Sequence, residues 1–215
     1  CRYVSPHFRA TRLESRTPKG FATLLNQVDA GSRHWNEELA AVFYESTLGG
    51  EGRADCEFDW AEDELARCAR QEIVSQGVEP AVVKSLRGNL TEHGGLREEA
   101  TSLPRLPGGR KRADKKGADL LLLTGNAIRA EAPEVIQSMA DVLDVAGEDW
   151  TVLSEETAAG TELYDLGYAD DASTQARRLA ETVIASRAKR VVFLSTADFR
   201  TAQKWFSQWG VELPS

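Results

Sequence analysis

The chain has 215 residues, 41% of them hydrophobic and 28% charged, which is the balance of a folded protein with room for two small cores and not of a disordered tail. Its net charge of -8 lacks the surplus of Lys and Arg on which binding to nucleic-acid phosphates rests, so a nucleic-acid partner is not expected. No apolar run approaches the roughly 18 residues that cross a bilayer, the four leucines at 120–123 being bounded by Asp119 and Thr124, and no membrane span is expected. The opening Cys1-Arg2-Tyr3-Val4-Ser5-Pro6 has no apolar export segment or cleavage site, so a cytoplasmic location is expected. Cys1, Cys56 and Cys68 form neither an even disulfide framework nor a CxxC pair, as a reducing compartment permits.

In chain order, residues 1–93 read as helical. Thr17 is placed to cap a helix with Pro18 at its first position, an apolar stripe of Phe21, Leu24, Leu25 and Val28, and a stop at Gly31. Asn36 is placed to cap a second helix through Leu39, Val42 and Phe43, with Glu37 and Glu38 favourably in its first turn and an end near Ser46. A third is expected over 62–76, with Leu65, Ala69, Ile73 and Val74 on one side and Gly77 closing it; the helix dipole accounts for its acidic start. Cys68 falls inside that helix and reads as a small packing residue. A fourth begins at Pro80 and carries Val82, Val83, Leu86 and Leu90.

Residues 94–117 shift to Gly, Pro and basic side chains, including Pro104, Pro107, Arg110, Lys111, Arg112 and Lys115, and read as a solvated linker. Over 118–215, short apolar strands alternate with helices. Residues 120–123, 151–153 and 191–194 read as buried parallel strands, 133–145, 172–187 and 198–208 as the helices between and after them, and 211–213 as the start of a further strand. Trp205 and Trp209, four apart, share a helix face and are expected to pack into the core. The expectation is an α+β chain: an all-helical unit over 1–93, a basic linker over 94–117 and a Rossmann-like α/β layer over 118–215.

Ser46, Gly49, Gly52 and Cys56 have the spacing of the Cys-x2-Cys-x2-Cys-x3-Cys run that ligates a 4Fe-4S cluster, with three of four thiolates replaced. The flanks, Trp35-Asn36-Glu37-Glu38 and Cys56-Glu57-Phe58-Asp59-Trp60-Ala61-Glu62, resemble the second cluster motif of dicluster-ferredoxin iron-sulfur subunits of the dimethylglycine-demethylase type. The start, Cys1 to Pro6 followed by Arg12-Leu13-Glu14-Ser15-Arg16-Thr17-Pro18, is similar to the end of the first motif, with Cys1 as its third cysteine and Ser5 in place of its fourth. In such ferredoxins the fourth cysteine of each motif serves the other cluster. The resemblance therefore implies that Cys1 and Cys56 belong to one 4Fe-4S cluster, if one is retained, and that Ser5, Ser46, Gly49 and Gly52 stand at a second site with no thiolate left.

The C-terminal half is similar to the CCG domain of heterodisulfide reductase and of glycolate oxidase iron-sulfur subunits, through Gly125-Asn126, Glu155-Glu156-Thr157-Ala158-Ala159-Gly160, Leu163-Tyr164-Asp165-Leu166-Gly167-Tyr168 and Leu194-Ser195-Thr196-Ala197-Asp198-Phe199. In that family cysteines stand at the positions of Asn126, Ala158, Ala159, Ser195 and Asp198, so the resemblance implies a domain here without cluster or zinc. The function expected is a non-catalytic or single-cluster subunit of an electron-transfer oxidoreductase complex, a scaffold or short-range relay beside a flavoprotein dehydrogenase or demethylase, or beside a cluster-bearing paralogue. The alternative is a free-standing nucleotide-binding or sensor domain, since Gly125 follows a strand, although Thr124-Gly125-Asn126-Ala127-Ile128-Arg129 is far short of GxGxxG. No Ser or Cys sits in a recognisable elbow to pair with His7, His34 or His93, and catalysis by this chain alone is not expected.

Overall fold

The computed structural model describes residues 3–97, 101–104 and 112–214, and it is a mixture of helices with one small parallel sheet, the α+β class. Packing divides the chain into two units, Cys1–Ser85 with Tyr164–Ala169, and Leu86–Leu163 with Asp170–Ser215. The first boundary thus falls inside a helix that the sequence alone carries to residue 93.

Side-chain caps set the starts of the first three α-helices of the first unit. Ser5 precedes α1 (Pro6–Thr11) and its hydroxyl accepts from Phe8 N. After a 3-10 turn (Glu14–Arg16), Thr17 accepts from Gly20 N at 2.9 Å to open α2 (Pro18–Asp29), and Asn36 accepts from Leu39 N at 2.8 Å to open α3 (Glu37–Tyr44). The short α4 (Glu51–Ala54), α5 (Glu62–Ser75) and the start of α6 (Ala81–His93) follow. The core gathers Phe21 from α2, Leu39, Ala40, Val42 and Phe43 from α3, and Ala69 and Ile73 from α5. Phe21 and Trp35 lie 5.1 Å and 5.4 Å from the Phe43 ring, which is fully buried, and each large side chain so buried contributes about 1.5–3 kcal/mol.

Two helix faces differ from expectation. Cys68 is exposed, because α5 buries Ala66, Ala69, Arg70 and Ile73 and the helical period turns position 68 outward. On α6 the buried line runs through Val83 and Leu90, and Val82 is 64% exposed.

The first unit is completed from far downstream by Tyr164–Ala169. Tyr44 Oη donates to Leu166 O at 2.8 Å, Arg70 Nη1 to Asp165 O at 2.6 Å, and Tyr168 Oη to Glu79 Oε1 at 3.1 Å. Gly167 has φ +98°, and a Cβ there would lie 2.6 Å from the Arg70 backbone, so only glycine allows this approach.

In the second unit, β1 (Leu120–Leu123) lies between β2 (Trp150–Val152) and β3 (Arg190–Phe193), all parallel, with Leu121 opposite both Thr151 and Val191. Four consecutive leucines suit this strand because both faces are covered. Leu121 and Leu123 join Leu179 and Val183 of α10 (Ala169–Ser186), while Leu120 and Leu122 join Ala140 and Leu143 of α8 (Pro133–Val145). The shorter α7 (Asn126–Glu131), α9 (Thr161–Asp165) and α11 (Thr196–Thr201) leave or approach the strand ends, and a π-helical turn (Ala202–Phe206) ends the helical run.

Two expectations change here. Residues 211–213 form no strand: Val211 N bonds Phe206 O at 2.8 Å, and Val211 and Leu213 pack against the core instead of pairing. The segment read as a solvated linker is, where described, bonded to the β2 side. Leu103 N reaches Ser154 O at 2.7 Å, Asp114 N reaches Val152 O at 2.9 Å and Lys115 N reaches Thr151 Oγ1 at 2.9 Å. A free strand edge presents unpaired backbone groups, and this segment satisfies them. Arg112 pairs with Asp144 at 2.5 Å and lies over the Trp150 ring, and Lys115 pairs with Asp149, while Arg110 and Lys111 lie outside the described residues. Among the described residues no helix is long and apolar enough to cross a membrane.

Candidate functional site

In the first unit, Ser5, Ser46, Gly49 and Gly52 come together around one cavity of about 20 Å³. Ser5 arrives as the cap of α1, Ser46 as the residue just past α3, and Gly52 within α4. The loop between turns through left-handed positions at Leu48 and Gly50. Its entry is fixed by Arg70 of α5, which donates to Phe43 O at 3.0 Å and to Ser46 O at 2.6 Å. Burial pulls this guanidinium down to about 10, with Asp165 and Tyr44 opposing the shift and Arg67 adding to it. Glu62, only 8% exposed, closes the other side: its Oε1 accepts from Gly52 N at 2.5 Å. Burial raises the Glu62 carboxyl above its ordinary range, and the neighbouring charges of Asp63 and Glu51 act in the same direction.

The four positions that gather here do not fit an iron-sulfur centre. None supplies a thiolate, and a cavity of this size holds about one water. A Cβ added at Gly52 would lie 2.6 Å from Glu62 Oε1, and one added at Gly49 would lie 2.2 Å from Glu51 Oε1. Of the two cysteines expected to share a centre, Cys56 is half-buried just beyond α4, its N–H donating to Arg53 O at 3.1 Å, and Cys1 lies outside the described residues. The third cysteine, Cys68, opens onto a separate surface groove of about 700 Å³ beside Trp35, Leu65 and Glu72. Among the described residues no group of three or more His, Cys, Asp or Glu side chains is placed to hold a metal.

In the second unit, the positions expected to have carried cysteine gather at the carboxyl ends of the strands, the place where open parallel sheets bind ligands. Asn126, Ala158, Ala159 and Asp198 are all buried. Asn126 Nδ2 and Ala158 N both donate to Gly94 O, at 2.7 and 2.9 Å. Gly125, with φ +81°, leaves room for the third loop: a Cβ there would lie 2.8 Å from Ser195 Cβ and from Asp198 Oδ2. Asp198 accepts from Thr161 Oγ1 at 2.6 Å and is raised above the ordinary carboxyl range, chiefly by burial.

The groups that organise this end of the sheet are ones the sequence did not single out. Glu156 accepts from Thr124 N at 2.9 Å and from Gly125 N at 2.6 Å, and pairs at 3.0 Å with Arg129, whose side chain is fully buried. Arg129 also donates to Thr124 Oγ1 and Thr101 O at 2.6 Å and to Leu153 O at 2.8 Å, so one guanidinium binds three segments together. The arrangement is a closed, internally satisfied polar lock, with a protein carboxylate on the amides that a phosphate would need. One signal was available for the counterpart in the first unit: Arg70 stands three residues before Ile73, in the buried phase of α5, and a charge in that phase implies buried partners. Nothing comparable marks Arg129 or Glu156, whose burial depends on where the strand ends meet. No family model, no curated protein and no solved structure matches this chain.

Proposed function

We propose that this chain is a cluster-depleted relative of the dicluster-ferredoxin and CCG-domain iron-sulfur subunits, serving as a scaffold in a cytoplasmic electron-transfer oxidoreductase complex. Its partner is a flavoprotein dehydrogenase or demethylase, or a cluster-bearing paralogue. At most one 4Fe-4S centre belongs to it, on Cys1 and Cys56 with further ligands from elsewhere, and the chain is not catalytic alone. One observation above the others supports this reading: Ser5, Ser46, Gly49 and Gly52, grouped beforehand only by the cross-ligation pattern of two-cluster ferredoxins, line a single small cavity although residue 5 is remote in sequence from the other three. A subunit interface depends on surface and packing, whereas electron transfer depends on ligands, so the second can be lost while the first is kept. The nucleotide-binding alternative gains no support, because the Thr124 and Gly125 amides are already given to Glu156.

The test is native affinity purification of the tagged full chain from its own cells, with flavin absorbance and iron measured in the material that comes with it. A stoichiometric flavin- or cluster-bearing subunit is expected. A chain recovered alone, with neither flavin nor iron associated, overturns the proposal.

A further inference from the structure

We infer that Glu62 is a built-in occupant of the loop over residues 46–52: its carboxylate holds the loop closed in place of an inorganic centre and excludes any side chain at position 52. The loop would therefore refuse an iron-sulfur centre even if thiolates were supplied.

Two crowded glycines line this cavity, and their neighbours differ in kind. The Glu51 carboxylate, which a Cβ at Gly49 would meet, belongs to an exposed side chain that can swing into water. The Glu62 carboxylate cannot, since it is buried and anchored on Gly52 N. A Cβ at Gly52 would lie 2.6, 2.8 and 2.9 Å from Glu62 Oε1, Cδ and Oε2, so the whole carboxylate would have to leave its place. The same bond gives Glu62 its role, because it supplies the buried Gly52 N–H with the acceptor that a backbone donor away from water needs. Among the described residues Glu62 Oε2 has no hydrogen-bond partner, so the Gly52 amide on Oε1 is what anchors this carboxyl group. The charged and titratable groups around it are Asp63 and Glu51, which disfavour ionisation, and His7 and Arg16 on the cavity wall, the latter engaged with Glu45 at 2.5 Å.

The inference takes from the proposed function only the identity of the centre displaced, and its test reads the coupling of Glu62 to Gly52 whether or not a flavoprotein partner exists. Gly52→Ala is made in the full chain with Glu62 present and with Glu62→Ala, and unfolding in urea is followed for all four chains. Gly52→Ala is expected to raise the unfolding constant about tenfold more when Glu62 is present than when it is absent; equal costs in the two backgrounds overturn the inference. Glu62→Gln keeps an acceptor for Gly52 N and cannot ionise. The folded-state shift is upward, so the contribution of Glu62 is present below the ordinary carboxyl value of 4.5 and is lost as pH rises above it, and Glu62→Gln is expected to remove that loss. A pH profile identical to wild type refutes the role of the carboxyl group. In a chain with cysteine at positions 5, 46, 49 and 52 and Glu62 in place, incubated without oxygen with ferrous iron and sulfide, no iron should be retained by these cysteines; a cluster bound there also overturns it.

Discussion

Replacing Arg129 with methionine tests whether the polar lock at the strand ends is what holds the second unit's loops. The side chain is fully buried, and its loss removes the partner of Glu156, which is itself only 3% exposed. It also strips donors from Thr101 O and Leu153 O, bonded at 2.6 and 2.8 Å. The uncompensated carboxylate dominates the cost, because it is buried and keeps only the Thr124 and Gly125 donors. Breaking a buried pair from one side costs about 3–5 kcal/mol, which is roughly 150- to 5,000-fold in the unfolding constant. Against a total stability of about 5–15 kcal/mol for an ordinary domain, that brings the unit close to unfolding. Urea unfolding followed by circular dichroism, at constant slope, gives the number. Arg129→Met combined with Glu156→Leu removes both charges and is expected to recover a large part of the loss. A cost below about 1 kcal/mol for Arg129→Met, or a double variant as unstable as the sum of the singles, refutes the reasoning.

Two further outcomes follow from the same geometry. Gly167→Ala meets both a left-handed backbone, φ +98°, and the Arg70 main chain at 2.6 Å, so it should cost at least about 1–3 kcal/mol in thermal or urea unfolding; a neutral substitution would show that Tyr164–Ala169 does not pack against α5. Burial raises the Asp198 carboxyl above its ordinary 3.8, Glu156 adds to the shift, and the hydrogen bonds from Thr161 and Ser195 oppose it. The folded chain then keeps a proton that the unfolded chain releases, so this contribution is present below 3.8 and is lost as pH rises above it. Asp198→Asn should flatten that fall in urea midpoints measured across pH, and an unaltered slope would refute it.

Local chemistry carried much of the fold. The caps at Thr17 and Asn36 lie where the sequence places them, the helix over Pro133–Val145 and the strand over Leu120–Leu123 have the expected bounds, and α6 ends at His93 before Gly94, as the Gly-Gly pair signals. These features depend on neighbours a few residues apart, and the chain states them directly. The errors share a different cause. Hydrophobicity places Val82, and small size within a helix places Cys68, in the packing, but helical phase relative to the real core decides burial and leaves both exposed. Composition alone reads the basic segment as a connector, whereas the unpaired edge of β2 recruits it.

At the candidate sites the division is sharper. The residue types alone determined that positions 5, 46, 49 and 52 offer no thiolate and that Asn126, Ala158, Ala159, Ser195 and Asp198 offer no sulfur, because ligation is a property of the side chain and not of the fold. Only the tertiary structure decided what stands there instead: Glu62 on Gly52, Arg70 on the Phe43 and Ser46 carbonyls, Glu156 and Arg129 across the strand ends, and Tyr164–Ala169 returning to finish the first unit. A charged side chain is costly to bury until its partners are in place, and those partners come from distant segments, so the sequence shows each charge while folding alone shows its use.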